Sequence, residues 1–440
     1  MSKIKNYRKL SNKPLRGTSD WFPDEFRVRK YIFDTWRDVC TRFGYEEYLT
    51  PIVENAELYR AKSGEDVGGS ELMTFERDGT EYAIRPEMTP SVTRLVSRII
   101  DQVPKPIRYF SIANFMRFQK PQRGRNREFW QLNCDIFGSN SIEAEIEVLQ
   151  LSLELVLAFN PPKDSFVMKV NNRKLIDFIL DSAAGILPEI KVDVVRILDK
   201  WEKLSSEEFM TRLQACRLSP EQISILQKFM ECRDIHALVQ DLPQLEESEG
   251  FLETSQVITS LIELGYSDWI QFRPDVIRGF DYYDGLVFEV FDNDPENNRA
   301  MFGGGRYNGL AGIFGSQSFP AVGMAPGDES MYLFLEKWGM LESISEQTRP
   351  QKIYIPVLLE AARETVMKLA NELRAQGNNV ETGLEIQQLT RSLQYADRKR
   401  FTNIIIIEEN ELQTMNAQVK NMRTGKQVEV ALEKVTECLY

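Results

Sequence analysis

The chain has 440 residues, more than one ordinary domain holds, and its 42% hydrophobic and 27% charged content is that of a folded globular protein rather than a disordered one. One histidine, His236, and five cysteines with no Cys-x-x-Cys pair argue against imidazole catalysis, a disulfide framework and a structural zinc site, so chemistry falls to arginines, carboxylates, tyrosines and backbone amides. A net charge of −12 counts mildly against RNA binding, although a local basic stripe can still engage phosphates. No apolar run is long enough to cross a bilayer and Met1–Asn6 lacks the apolar stretch of a secretion signal, so no membrane partner and a cytoplasmic location are expected.

Residues 25–42 predict a helix, with Val28, Ile32, Trp36, Val39 and Cys40 at helical spacing and Gly44 as its stop. A short strand over residues 45–50 is ended by Pro51. Asp78-Gly79 between two strand-like runs predicts a hairpin, and Thr89-Pro90 a helix start in which Thr89 caps. Residues 108–118 and 128–137 read as two strands joined by a basic loop. From 172 to 264 leucines and isoleucines recur at helical spacing among charges, as in an inserted helical subdomain. Strand and glycine texture returns over 272–325, so the first domain is expected to be discontinuous. Residues 341–350 have linker composition, and beyond them strand and helix patterns alternate: strand 353–357, helix 361–376 ended by Gly377, helix 387–396, strand 404–407. The expected domains are therefore 1–171 with 265–340, an insertion at 172–264, and a small α/β domain at 350–440.

Several segments carry polar groups in patterns that suit a ligand. Arg117-Phe-Gln-Lys-Pro-Gln-Arg-Gly-Arg-Asn-Arg127 places five cations in eleven positions around Pro121 and Gly124, and guanidinium forks match phosphate oxygens. On charge alone it reads as well as a solvated hairpin tip. Strand alternation puts Gln131, Asn133 and Asp135 on one face, with Leu132 and Cys134 on the other. In Arg85-Pro-Glu-Met-Thr-Pro90, Glu87 and Thr89 suit an ammonium group, or simply the start of a helix. Arg278-Gly-Phe-Asp-Tyr-Tyr283 is a charged aromatic turn feeding a strand. Phe302-Gly-Gly-Gly-Arg-Tyr-Asn-Gly309 lets backbone approach a ligand closely, with Arg306 and Tyr307 adding polar contacts, or is an irregular connection. Pro320-Ala-Val-Gly-Met-Ala-Pro-Gly-Asp-Glu-Ser330 passes through Gly327 into a helix whose N-terminus favours anions, or is an ordinary strand-to-helix turn.

Taken in this order, the segments resemble the histidyl-tRNA synthetase family across nearly the whole chain. Arg16-Gly-Thr-Ser-Asp-Trp-Phe-Pro23 is similar to its N-terminal signature, the segment ending at Pro51 to class II motif 1, and residues 117–135 to motif 2. Arg278-Gly-Phe-Asp-Tyr-Tyr283 and Gly303-Gly-Gly-Arg-Tyr-Asn-Gly309 look like the pair specific to histidine enzymes. The resemblance implies an α+β fold, in which an antiparallel class II sheet flanked by helices carries a helical insertion and an α/β anticodon-binding domain. It implies a homodimer whose substrates are histidine, ATP with Mg2+, and tRNA(His), with no prosthetic group and no resident metal. It assigns Glu87, Thr89, Gln131, Asp135, Tyr282, Tyr283 and Tyr307 to histidine. Arg117 and Arg278 fall on the catalytic arginines at the α-phosphate, with Gln119, Arg125 and Gly327 completing the ATP contacts. Gln122, Arg123 and Arg125 fall on the loop that meets the tRNA acceptor end.

Three positions depart from the family pattern. Ser330 stands where motif 3 has an arginine, Gln119 where motif 2 has a glutamate, and Asp135 where many relatives have the longer glutamate. The absent arginine also suits a non-enzymatic relative, similar to the regulatory subunit of ATP phosphoribosyltransferase. That group typically lacks the C-terminal domain which residues 395–400, 404–407 and 419–425 resemble here. A plain RNA-binding or stress-sensing protein on the same scaffold is a third reading, and its extra domains are absent from the sequence given.

Overall fold

The structure, a computed structural model, describes residues 11–61, 66–277, 283–297, 299–314 and 318–439. The chain divides into two compact units, residues 1–345 and 346–440.

In the first unit α1 (Pro23–Arg42) opens at a proline, whose fixed φ suits a first turn, and buries Val28, Ile32, Phe33, Trp36, Val39 and Cys40 along one stripe. Of the strand expected over 45–50 only β1 (Glu46–Glu47) is ladder-paired, because this edge has one neighbour and Pro51 cannot donate. There follow β2 (Val53–Asn55), α2 (Glu57–Arg60), β3 (Thr74–Arg77) and β4 (Thr80–Ile84). Asp78 and Gly79 turn the hairpin with φ of 53° and 75°. In α3 (Thr89–Ser97) Met88 is the N-cap and Thr89 the first helical residue, so the cap expected from Thr89 is not made. The carbonyl of Thr89 instead accepts from Thr93 Oγ1.

β5 (Ile107–Met116) and β6 (Glu128–Phe137) pair antiparallel over their full ten-residue length. After α4 (Glu143–Leu157) and β7 (Phe166–Asn172) the described chain is helical through α5 (Arg173–Phe178), α6 (Pro188–Leu198), α7 (Ser206–Ala215), α8 (Pro220–Glu231), α9 (Ile235–Asp241) and α10 (Glu249–Glu263). Ser205, Ser219, Asp234 and Ser248 cap four of these helices through their side chains. The sheet resumes with β8 (Ile270–Phe272), β9 (Leu286–Asp292), β10 (Ala300–Arg306) and β11 (Ala321–Met324), followed by α11 (Asp328–Lys337) and α12 (Leu341–Gln347). Residues 341–347 are thus helical rather than the linker their composition suggests. Ile344 is 6% exposed, and burial of that one apolar side chain ties the turn to the main core.

Among the described residues the main sheet runs β1-β5-β6-β11-β10-β9-β7-β8, antiparallel except for the β1–β5 and β7–β8 pairs. Helices α1 and α4 cover one face, where Phe110, Leu132, Cys134 and Ile136 pack with Trp36 and Val39. The other face carries Gln131, Asn133 and Asp135, as the strand period requires.

The three glycines of β10 answer to their neighbouring strands. A Cβ at Gly303 would come 2.6 Å from the Phe288 carbonyl oxygen, at Gly304 2.2 Å from that of Gly323, and at Gly305 2.5 Å from that of Leu286. Close approach of a ligand is therefore not what demands them. Arg306 is likewise turned away from any ligand: it is buried against Glu145, pairs with both carboxylate oxygens, and donates to the Ser139 carbonyl at 2.7 Å.

The second unit contains β12 (Ile353–Val357), α13 (Arg363–Ala375), β13 (Val380–Ile386), α14 (Leu389–Arg398), β14 (Asn403–Ile406), α15 (Glu409–Thr414), β15 (Asn416–Asn421) and β16 (Gln427–Ala431). Its sheet order is β13-β12-β14-β15-β16, parallel around β12 and antiparallel from β15 onward. Strand–helix alternation builds the parallel half, as expected from the pattern, and α13 buries Val366, Leu369, Ala370 and Leu373 against it.

Candidate active site

The basic loop between β5 and β6 closes on a tight turn. Gln122 and Arg125 exchange backbone bonds of 3.0 and 2.9 Å, with Gly124 at φ 75°. Gln119 Nε2 donates to the Asn126 carbonyl at 2.7 Å and so braces the loop from within. The N-terminal segment pins its base, since the Gly17 carbonyl accepts from the amides of Arg127 at 2.7 Å and Glu128 at 3.2 Å. Toward the tip, Arg123 reaches Glu336 at 3.5 Å, and Gln122 Oε1 accepts from Arg299 at 3.4 Å. Arg125 is exposed.

At the loop's root Arg117 Nε donates to the Pro86 carbonyl at 2.9 Å, and the guanidinium lies 5.2 Å from the Phe129 ring centre. That bond ties it to the 85–90 segment. There Arg85 is buried and donates to the Thr50 and Asn114 carbonyls, each at 2.9 Å, so it anchors the backbone. Burial lowers its pKa. Glu87 is 3% exposed, and Thr89 is half-buried beside it at the start of α3.

Further along β6, Asp135 is 5% exposed, and its Oδ1 accepts from Tyr307 Oη at 2.5 Å. Tyr307 and Tyr283 meet edge to face with ring centres 6.4 Å apart. Burial pushes the Asp135 carboxyl up to about 7, against the pull of the Tyr307 hydroxyl. β11 runs alongside in the same sheet: Gly323 is the register partner of Asp135, and a Cβ there would fall 1.9 Å from Asp135 Oδ1. Only glycine fits this position without moving the carboxylate.

A cavity of about 1180 Å3 lies between the basic loop and the start of α11. Arg117, Gln119, Gln122, Arg123, Arg125, Gln131, Gly327 and Ser330 all line it, so the structure gathers the expected phosphate and loop residues around one space. Gln131 links the cavity to the Asp135 corner through the shared β6 face, and its Nε2 donates to the Ala325 carbonyl at 3.0 Å. Asp135, Tyr283 and Tyr307 form a separate buried polar corner. Arg278 and Tyr282 lie outside the described residues.

The start of α11 differs from the expected bare anion site. Asp328 and Glu329 occupy its first turn, so protein carboxylates already complement the helix dipole. Burial pushes the Asp328 carboxyl up to about 6, while Arg29 and the Trp130 amide pull it back. Ser330 Oγ donates to the carbonyls of Met301 at 2.8 Å and Gly327 at 3.0 Å, so this hydroxyl is engaged with backbone. Sequence reasoning passed over Arg29 and Asp328. The available signal was a cation inside the apolar stripe of α1, at three- and four-residue spacing from Ile32 and Phe33.

Known proteins resemble the chain over nearly its whole length. Residues 17–327 match the histidyl-tRNA synthetase family and residues 352–439 an anticodon binding domain. A histidine–tRNA ligase from Leptospira biflexa is 36% identical, covering 98% of this chain and 98% of its own length. One from Pyrococcus horikoshii is 31% identical, over 96% of this chain and 97% of its own. The crystal structure of a histidyl-tRNA synthetase from Nostoc sp. PCC 7120 has the same fold, with a TM-score of 0.80 at 24% identity over 98% of this chain and 100% of its own. By the extent of these matches, the chain belongs to the histidyl-tRNA synthetase family.

Proposed function

We propose that this protein is a histidine–tRNA ligase, joining histidine to ATP as histidyl-adenylate and then passing the histidyl group to tRNA(His). The observation that carries this reading is the buried Asp135–Tyr307 pair, which lies on the same β6 face as Gln131, a residue of the cavity that Arg117 also lines. Asp135 accepts one imidazole N–H, and Tyr307 holds the carboxylate in place. Tyr283 faces the imidazole with Asp135, Tyr307 also closes the pocket, and Tyr282 belongs to the same histidine-binding set. A site built to bond both ring nitrogens rejects apolar isosteres strongly, because its own polar groups would be left unpaired. Glu87, Thr89 and Gln131 hold the α-ammonium group.

A carboxylate oxygen of histidine attacks the α-phosphorus of Mg-bound ATP, the bond to the bridging oxygen breaks, and pyrophosphate leaves. The attacking carboxylate is already ionised, so no general base is needed. Arg117 and Arg278 stabilise the charge that gathers on the phosphorus oxygens. Gln119, Arg125 and Gly327 complete the ATP site. In the second step a hydroxyl of the terminal tRNA ribose attacks the acyl carbon and AMP leaves, with Gln122, Arg123 and Arg125 against the acceptor end. We assign residues 1–171 and 265–340 to catalysis, 172–264 to an insertion, and 350–440 to anticodon binding. We further assign the protein to a cytoplasmic homodimer. Among the described residues no helix is long and apolar enough to cross a membrane.

Ser330 suits the regulatory reading, since its hydroxyl gives the cavity no cation, but the anticodon binding domain at residues 352–439 speaks against it. One assay separates the two. Histidine-dependent exchange of pyrophosphate into ATP, followed by charging of tRNA(His), is expected for the ligase. Folded protein with no exchange would favour the regulatory role.

A pH dependence follows from the Asp135 corner. The carboxyl is protonated below about 7 and ionised above it, and the ionised form is the better acceptor. The KM for histidine is therefore expected to fall as pH rises from about 6 to about 8. Free histidine titrates in the same range for any variant, so the difference from Asp135→Asn isolates the Asp135 component. Parallel profiles for the two proteins count against that role.

A further inference from the structure

Arg29 sits on the buried stripe of α1, where an apolar side chain is the usual occupant, and is 4% exposed. Its guanidinium lies between two rings, 4.5 Å from the centre of Trp21 and 4.6 Å from that of Tyr332. Nη1 donates to Asp328 Oδ2 at 2.5 Å and Nη2 to Glu329 Oε2 at 3.0 Å. Asp328 is 1% exposed, and its Oδ1 accepts from the Trp130 amide at 2.9 Å. One carboxylate thus ties α1, β6 and α11 together.

The position of that tie matters. The Leu132 amide donates to the Pro326 carbonyl at 2.9 Å, and Gln131 donates to Ala325, so residues 325–327 run alongside β6 past the end of β11. At Trp130 the Asp328 side chain takes over as acceptor, just where the backbone turns into α11. Asp328, Glu329 and Ser330 line the cavity, whereas Arg29 does not.

We infer that Arg29 is a positioning residue for the nucleotide: by holding the Asp328 carboxylate against Trp130 it fixes the Gly327 turn beside which ATP lies. This rests on the reading of the cavity as the ATP site. A buried carboxylate without its cation must take up a proton or move toward water. Asp328 lines the cavity, so its route to water leads there, and a carboxylate that moves gives up the Trp130 amide and takes the Gly327 turn with it. Lysine cannot replace Arg29 fully, because a point charge neither stacks between two rings nor bridges two carboxylates in one plane.

The test is equilibrium binding of Mg·ATP by calorimetry, together with the KM for histidine in pyrophosphate exchange. Arg29→Met is expected to weaken Mg·ATP by roughly tenfold or more while the histidine KM changes by less than about threefold. The double variant Arg29→Met/Asp328→Asn removes the two fully buried charges, leaves the more exposed Glu25 and Glu329, and keeps an acceptor for the Trp130 amide. It is expected to return to within about threefold of the unaltered protein. Arg29→Lys falls between. Unaltered affinity in Arg29→Met, or a double variant no tighter than Arg29→Met, overturns the inference. Should Arg29→Met not fold, the comparison is between Arg29→Lys and the double variant, and weaker binding by the double variant overturns it. Unaltered protein that binds no Mg·ATP instead removes the nucleotide reading itself, and this inference with it.

Discussion

Replacing Arg117 with alanine is expected to lower the rate of histidine-dependent pyrophosphate exchange by about 10²–10³-fold, the usual cost of losing one preorganised donor to a developing charge. Arg117 lines the cavity at the root of the loop, and its Nε bond to the Pro86 carbonyl fixes the plane of the guanidinium before any ligand arrives. Preorganisation of this kind acts mainly on kcat, because the charge it meets grows in the transition state. Arg125 lies on the same loop but is exposed at its tip, so Arg125→Ala is expected to reduce exchange far less. Arg117→Lys recovers little, since an ammonium cannot bond both Pro86 and a phosphate in the fixed plane of a guanidinium. Equal losses from Arg117→Ala and Arg125→Ala, measured side by side in exchange, would remove Arg117 from its assigned role.

The second large effect is expected at a residue that need touch no substrate. Gly323→Ala places a methyl group 1.9 Å from Asp135 Oδ1 and 2.8 Å from the Cys134 carbonyl. Asp135 cannot simply step aside, because it is buried, bonded to Tyr307, and held on a strand paired along both edges. The outcome is a displaced carboxylate: kcat/KM for histidine is expected to drop by roughly 100-fold or more as an imidazole N–H loses its acceptor. Overpacking of this sort also costs about 1–3 kcal/mol of stability. Mg·ATP binding should change little, since the surroundings of Arg117 are untouched. A histidine KM equal to that of the unaltered protein would show that Asp135 does not read the imidazole.

The two cases differ in how far they were visible along the chain. Arg117 stood out because its neighbours announce it: a cation-rich loop between two strands whose alternation is plain. Gly323 did not, because a lone glycine in a strand-like run has many explanations, and its constraint comes from β6, far away in sequence. Arg306 shows the same limit in reverse. Beside three glycines and a tyrosine it read as a ligand contact, yet its partner Glu145 lies 161 residues away on α4.

Legible along the chain is whatever local periodicity and turn chemistry encode. These include the stripe of α1, the Asp78–Gly79 hairpin, the β5–β6 pair, and the common face of Gln131, Asn133 and Asp135. They also include the helical stretch before β8 and the alternation of the second unit. The order of the motifs added the family. Tertiary structure alone decided which groups became partners. It gave the β10 glycines to neighbouring strands, made Met88 rather than Thr89 the cap of α3, and folded 341–347 into a helix around Ile344. It also set Arg29 on Asp328 across 299 residues. The physical reason is one of range. Backbone geometry responds to the next few residues, whereas a buried charge or an absent Cβ is accounted for only by what packs against it once the chain has closed.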